Sequence, residues 1–272
     1  MAKTIFITGA SRGFGKLWAE ALLQRGDKVV ATARELTALD DLVTKYGDNI
    51  LPLKLDVNNR IANFEAVAKA KAHFGSIDVL INNAGYGLFG AIEETTEKDA
   101  RDQMETNFFG LLWLSQAVLP IMRNQGHGHI IQLSSVLGLI SRPVLGLYAA
   151  SKFAVEGLSE SLAAEVKGFG IKVSIIEPAG FDTEWGGSSA AHTAAITAYN
   201  DVKASHQAGI PPDFRGAANG TIDAVLKLID SENPPLRLLL GKYANMLVKK
   251  EYAGRNTEWD SWLDVTLAAQ GK

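Results

Sequence analysis

Short apolar runs rich in β-branched and aliphatic side chains recur along the chain: KTIFIT (3–8), KVVATA (28–33), ILPLKLD (50–56), DVLINN (78–83), HIIQLS (129–134), KVSIIEP (172–178) and LRLLLG (236–241). Each has the length and composition of a strand. Between them apolar positions repeat at helical spacing, as with Leu17, Ala21, Leu22 and Arg25 in the first interval and Phe64, Val67, Ala68, Lys71 and Ala72 in the third. Alternation of this kind predicts a parallel sheet, and uninterrupted apolar stretches such as VLI and II fit strands covered on both faces. With right-handed crossovers the expected fold is α/β: one doubly wound, Rossmann-type domain over residues 1–272, with about seven parallel strands and helices on both faces.

Two stretches depart from the alternation. Residues 181–212, rich in Gly, Ser and Ala, predict a mobile substrate lid with a short helix beyond the carboxyl end of the sixth strand. Residues 242–272 carry Tyr243, Leu247, Tyr252, Trp259, Trp262 and Leu263, and predict a C-terminal helical extension that closes the pocket or supports an oligomer. The most apolar stretch, 108–122, is interrupted by Ser115, Gln116 and Pro120. It is shorter than the ~20 residues of a membrane span and reads as a buried helix, so no membrane insertion is expected.

Composition narrows the chemistry. A chain of 272 residues that is 47% hydrophobic can fill one large core, and its net charge of −3 gives no basic field for nucleic acid. Absence of cysteine excludes disulfides, thiolate catalysis and Cys-ligated metals. No secretory signal is visible at the N-terminus, so a cytoplasmic location is expected. His127-Gly128-His129 lacks a carboxylate at ligand spacing, Ser135 sits in no G-x-S-x-G elbow, and Lys249-Lys250-Glu251 reads as a solvated helix face. No metal is expected, and the partner is a small molecule.

The first strand runs into TGASRGFG, residues 8–15. A glycine turn that leaves a strand and opens a helix aims free backbone N–H groups and the positive end of a helix dipole at an anion. Gly9, Ser11, Arg12, Gly13, Phe14 and Gly15 are therefore candidates for a dinucleotide pyrophosphate, with the Phe14 side chain packing beside Trp18. The second strand ends Ala31-Thr32-Ala33-Arg34, without the carboxylate that commonly holds the ribose of NAD. Arg12 and Arg34 suit instead the 2′-phosphate of NADP(H).

The ordered set TGASRGFG (8–15), Asp56-Val57, NNAG (82–85), Asn107, Ser135, Tyr148-x-x-x-Lys152 and PAGFDT (178–183) resembles the short-chain dehydrogenase/reductase family, in its branch of about 250 residues. The resemblance implies that Asp56 bonds the adenine amino group, with Val57 packed nearby. Asn83, Ala84 and Gly85 would run along the cofactor, and Pro178, Gly180 and Thr183 would hold the nicotinamide carboxamide. The family's usual Pro-Gly is here Pro178-Ala179, with the glycine one place later. The resemblance also implies a homodimer or homotetramer formed through the two long helices, matched by 108–122 and 148–169.

Four residues apart, Tyr148 and Lys152 share a helix face, and the ammonium is expected to lower the phenol's pKa towards useful acid–base work. Tyr148 would protonate a carbonyl oxygen while Ser135 hydrogen-bonds the same atom. The resemblance adds that Lys152 grips the nicotinamide ribose and that Asn107 positions a water. The expected activity is an NADPH-dependent carbonyl reductase, reversible as an alcohol dehydrogenase, acting on an apolar ketone or aldehyde. NNAGYGLFGAIEE also resembles members acting on hydroxysteroids or retinoids, and an NADP-sensing protein without catalysis is a further alternative. The pocket is expected from residues 86–94, 136–147 and the lid.

Overall fold

The computed structural model describes residues 2–187 and 189–271; Met1, Ser188 and Lys272, which fall within the expected domain, lid and C-terminal extension, lie outside the described residues. Seven strands form one parallel sheet: β1 (Thr4–Ile7), β2 (Lys28–Ala33), β3 (Ile50–Lys54), β4 (Val79–Asn82), β5 (Gly128–Leu133), β6 (Ile171–Pro178) and β7 (Arg237–Leu240). Their order is β7-β6-β5-β4-β1-β2-β3. The order reverses between β1 and β4, where ligands bind in sheets of this kind. Ile5 is paired with Val29 on one side and Val79 on the other.

Side chains alternate across the pleat, so each strand serves two cores. Ile5, Ile7, Val29, Ala31, Val79 and Ile81 face Trp18 and Leu22 of α1 (Gly13–Gln24), Leu42 of α2 (Asp40–Tyr46), and Val225 and Leu228 of α8 (Ile222–Asp230). Phe6, Val30, Leu80, Ile130 and Val173 face Val67 of α3 (Arg60–Phe74), Leu114 of α5 (Gly110–Gln125) and Leu162 of α6 (Gly146–Val166). Each buried side chain of this size contributes about 1.5–3 kcal/mol, which explains why continuous apolar strands are required. Trp18 is 1% exposed and satisfies its indole N–H on Thr221 Oγ1 at 2.9 Å.

The helix expected over 108–122 is built differently. It begins as α4 (Glu97–Met104), passes through a π-helical turn at Glu105–Phe109 and continues as α5 to Gln125. Thr96 opens it by accepting the Asp99 N–H at 3.1 Å, and Gly126 (φ 72) closes it. The wider turn carries Asn107 and turns its side chain inward to a fully enclosed position. The second long helix, expected over 148–169, ends in a 3₁₀ turn at Lys167–Phe169.

Within 181–212 the short helix is α7 (Asn200–Ala208). Two two-residue parallel pairs stitch this segment down: Leu88–Phe89 with Ala191–His192, and Phe181–Asp182 with Gly216–Ala217. The C-terminal extension is α9 (Lys242–Ser261) and α10 (Leu263–Ala268). Ala244 is buried, whereas Trp259, Trp262 and Leu267 are more than half exposed. No helix among the described residues is long and apolar enough to cross a membrane.

Candidate active site

At the carboxyl ends of the strands lies a cavity of about 1580 Å³. Of the residues singled out from sequence, Gly9, Ser11, Arg12, Gly13, Phe14, Arg34, Asp56, Val57, Asn83, Ala84, Gly85, Ser135, Tyr148, Lys152, Pro178, Gly180 and Thr183 all line it. Gly15 and Asn107 stand just behind the wall. A β-carbon on Gly15 would sit 2.2 Å from Gly9 O, so α1 can reach this close to the strand end only through glycine. A β-carbon on Gly85 would lie 3.1 Å from Asn107 Oδ1 and 3.7 Å from Lys152 Nζ, which places those two groups together beside Gly85 at the cavity floor.

The glycine loop is held by the β4 loop. Thr8 Oγ1 accepts the N–H groups of Asn83 and Ala84, each at 2.9 Å, and Asn83 Nδ2 donates to Thr8 O at 2.8 Å and Gly9 O at 3.1 Å. Gly9 adopts φ 66, and Arg12 caps α1 with extended backbone and no side-chain hydrogen bond. The first N–H groups of α1 are thus left for a ligand. Thr183 and Glu184 come within 4 Å of the β-carbon position on Gly13, so the lid segment passes directly over this helix start. A cradle that admits no β-carbon, uncapped N–H groups and two cavity-lining guanidinium groups fit a dinucleotide diphosphate. Asp56 lines the same end and accepts the Asn58 N–H at 3.0 Å in an Asx turn, so it combines local capping with a carboxylate facing the cavity. Phe14 stacks on Trp18 with ring centroids 5.0 Å apart, as its packing role requires, and also lines the cavity.

At the other end, Ser135 follows β5, and Tyr148 and Lys152 lie on the first turns of α6. The Ser135 hydroxyl donates to Pro178 O at 3.4 Å and accepts the Leu137 N–H at 3.1 Å, with the Tyr148 phenol beside it. Ser134 is buried next to it and leans towards Glu156. Lys152 donates to Leu133 O at 2.6 Å, and its Nζ is 5.8 Å from the Tyr148 ring centre.

The expected lowering of the phenol is not what this environment produces. Burial pushes Tyr148 well above its ordinary value, and the Ser135 hydrogen bond only partly offsets it. Lys152 is lowered to about 8 by burial, against a smaller upward pull from Glu156. Desolvation outweighs the ammonium because the lysine is turned to the Leu133 carbonyl. The Asn107 side chain is bonded within the chain itself. Its Nδ2 donates to Tyr86 O at 3.0 Å and Ser151 Oγ at 3.1 Å, and its Oδ1 accepts the Tyr86 N–H at 3.1 Å.

Several lining residues had no motif to announce them. Trp185 stands with its ring centre 4.8 Å from that of Tyr148. Tyr243, Met246 and Leu247 bring the start of α9 into the wall and Arg255 donates to Leu139 O at 2.9 Å, whereas residues 256–271 are exposed. Buried Glu94 pins the lid: it accepts the N–H groups of Ala91 and Ile196, each at 2.7 Å, contacts Thr193 Oγ1 at 3.3 Å and pairs with Lys203. Those backbone and lysine contacts hold its carboxyl down to about 2. No group of His, Cys, Asp and Glu among the described residues could hold a metal ion.

Known proteins share this arrangement. The model of the short chain dehydrogenase family matches residues 3–194. Oxidoreductase BOA17 of Botryotinia fuckeliana is 40% identical, covering 99% of this chain and all of its own length. A 3-ketodihydrosphingosine reductase of Bacteroides thetaiotaomicron is 38% identical over 90% of each chain. A short-chain dehydrogenase from Streptomyces avermitilis has a solved structure that superposes with a TM-score of 0.92 at 39% identity, covering 98% of both chains. The structure of a Burkholderia cenocepacia short chain dehydrogenase in complex with NADP gives a TM-score of 0.76 at 28% identity, over 96% of this chain and 98% of the other. The matched residues run from β1 through the glycine loop and Tyr148 into the lid, and the chain belongs to the short-chain dehydrogenase family, oxidoreductases of CH–OH groups served by a nicotinamide dinucleotide.

Proposed function

We propose that the protein is an NADPH-dependent carbonyl reductase, reversible as an alcohol dehydrogenase, for an apolar ketone or aldehyde. The observation that carries this reading is the convergence of Ser135, Tyr148 and Lys152 on one cavity whose far end presents Arg12, Arg34 and the open start of α1. Gly9 to Gly15 and the Asn83–Gly85 loop would hold the diphosphate and its flanking riboses, Asp56 and Val57 the adenine, and Pro178, Gly180 and Thr183 the nicotinamide end. When bound, the dinucleotide supplies or accepts the hydride.

The chain's own groups handle the proton. Ser135 Oγ donates to the carbonyl oxygen and orients it; Tyr148 Oη then gives that oxygen its proton as negative charge develops there. A phenol held above its ordinary value by burial keeps its proton until the developing alkoxide, a far stronger base, takes it. In the reverse direction the same phenol must be deprotonated, which the Lys152 ammonium favours once it is turned from Leu133 O towards the phenolate. Asn107 fixes the Tyr86 backbone beneath the substrate. Residues 181–212 act as the lid that excludes water, with Trp185 against Tyr148 and the Glu94 clamp holding it shut.

A second reading, a dedicated lipid ketone as substrate, is favoured by the walls built from Phe89, Val136, Leu137, Ile140, Trp185 and Met246. The relative named as a 3-ketodihydrosphingosine reductase supports it. NADPH oxidation measured over small ketones, aldehydes, steroids and long-chain ketones separates the readings. Turnover of small ketones supports the first; saturable turnover of a lipid ketone at low concentration, without small-ketone activity, supports the second; no turnover of any carbonyl overturns both.

A further inference from the structure

Behind the catalytic helix lies a group of charges that the reaction above does not use. Glu156 follows Lys152 by one turn of α6, and Glu177 is the last residue of β6 before Pro178; both are buried, Glu177 completely. Both carboxyl groups converge on Arg237, and Glu156 Oε1 and both Glu177 oxygens have no hydrogen-bond partner among the described residues. Arg237 of β7 reaches both, with Nε 3.0 Å from Glu156 Oε2 and 3.5 Å from Glu177 Oε1, and its Nη2 is 2.8 Å from the exposed Glu160. On the side of the cavity, Ser134 and Glu156 close together under Gly138, where a β-carbon would lie 2.4 Å from Ser134 Oγ and 3.1 Å from Glu156 Oε1. The groups facing the pair are therefore Lys152 and Glu160 on α6, Arg237 on β7, and the neutral Ser134 hydroxyl.

Charge counting constrains this cluster. Three carboxyl groups surround one guanidinium, and two of them, both buried, share its Nε. Like charges converging on a dry site do not both ionise, so the Glu156–Glu177 pair holds one proton and one negative charge. Lys152 is buried as well, and a lone buried ammonium tends to shed its proton.

We propose that the proton-sharing Glu156–Glu177 pair is a positioning element of the active site: its single negative charge keeps the Lys152 ammonium charged, and its contacts hold the Ser134–Gly138 turn that carries Ser135. The opposing pulls on Lys152, downward from burial and upward from Glu156, agree with this role. Burial raises both Glu156 and Glu177 above the ordinary carboxyl range, as a shared proton demands. The catalytic consequence rests on the reading of Tyr148 and Lys152 given above.

The test compares Glu156→Gln, Glu177→Gln and the double variant with wild type. The Lys152 ammonium is titrated by NMR in protein labelled at the lysine ε-carbon, its resonance assigned by loss in Lys152→Arg, and the pH profile of kcat/KM for alcohol oxidation is recorded beside it. Glu177→Gln leaves the charge on Glu156, and the Lys152 midpoint stays at the wild-type pH. The double variant removes the charge, and the Lys152 midpoint and the alkaline limb of kcat/KM move together to lower pH by about one unit, roughly a tenfold loss above both midpoints. A folded double variant with an unmoved Lys152 midpoint overturns the proposal, as does a kcat/KM lowered by one factor at every pH. Should the double variant not fold, Glu156→Gln against Glu177→Gln gives the same contrast, with a smaller shift. If wild type reduces no carbonyl, the proposed function fails while the NMR titration still decides the role of the pair.

Discussion

Replacing Arg34 by Ala should cost NADPH, and not NADH, much of its binding. Arg34 follows β2 and Arg12 precedes α1; both are exposed, line the cavity and form no ion pair among the described residues. The neighbouring carboxylate, Glu35, is turned to Lys54 at 3.7 Å and does not occupy the guanidinium. A 2′-phosphate carries about −1.5 to −2 charges near neutrality. At about 4 Å and water-like screening, one pair of unit charges is worth about 1 kcal/mol. Each arginine therefore contributes about 1.5–2 kcal/mol, or roughly ten- to thirtyfold in Kd. Fluorescence titration with both cofactors should show Arg34→Ala weakened by that factor for NADPH and within about twofold of wild type for NADH. Arg12→Ala with Arg34→Ala should lose at least about a hundredfold, and the wild-type preference should shrink as salt rises. Ala33→Asp with Arg34→Ala should then favour NADH. A double arginine variant that keeps the wild-type preference, or weakens both cofactors equally, would refute the reasoning.

Three further outcomes follow from the geometry. Val144 holds φ 61, the one non-glycine in the left-handed region among the described residues, and its carbonyl accepts the Gly90 N–H at 2.8 Å in the pocket wall. Relief of about 1–3 kcal/mol of strain exceeds the ~0.5–1 kcal/mol entropic cost of glycine, so Val144→Gly should raise Tm by about 2–4 °C by calorimetry; a fall of that size counts against it. Glu94 has its carboxyl depressed to about 2, so its stabilisation of the lid is complete above the unfolded value near 4.5 and is lost as pH falls towards 2. Glu94→Ala should accordingly speed proteolysis within 193–203 at pH 7, with wild type approaching that rate only in acid; equal rates at pH 7 would remove the clamp. Gly15→Ala forces a β-carbon to within 2.2 Å of Gly9 O, and should lower the unfolding free energy from denaturant titration by about 1–3 kcal/mol and weaken NADPH binding, whereas an unchanged unfolding free energy would mean the loop yields freely.

The sheet was legible because each strand needs apolar side chains on both faces, and runs such as IFI and VLI admit few other structures. The glycine loop, Arg34 and the Tyr148–Lys152 spacing were legible because they are local: a helix puts positions four apart on one face whatever packs around it. What that spacing does not carry is depth. The lysine falls on the right face, but burial and the Leu133 carbonyl decide its charge and direction. Asn107 shows the same limit, since its inward turn depends on a π-helical register that no residue in ETNFF announces. Glu177 lies unremarked within the run KVSIIEP; only the sheet brings it to Glu156 and Arg237. The start of α9 joins the pocket wall for the same reason, because the turn after β7 delivers Tyr243 and Leu247 to a cavity formed by distant segments.

The central claim is that Tyr148 delivers the proton in a carbonyl reduction, and Tyr148→Phe tests it most directly. NADPH oxidation under single-turnover conditions, with a ketone that wild type reduces, should fall by at least about a hundredfold while the NADPH Kd stays within about threefold of wild type. A Tyr148→Phe protein that turns over at the wild-type rate would contradict the account.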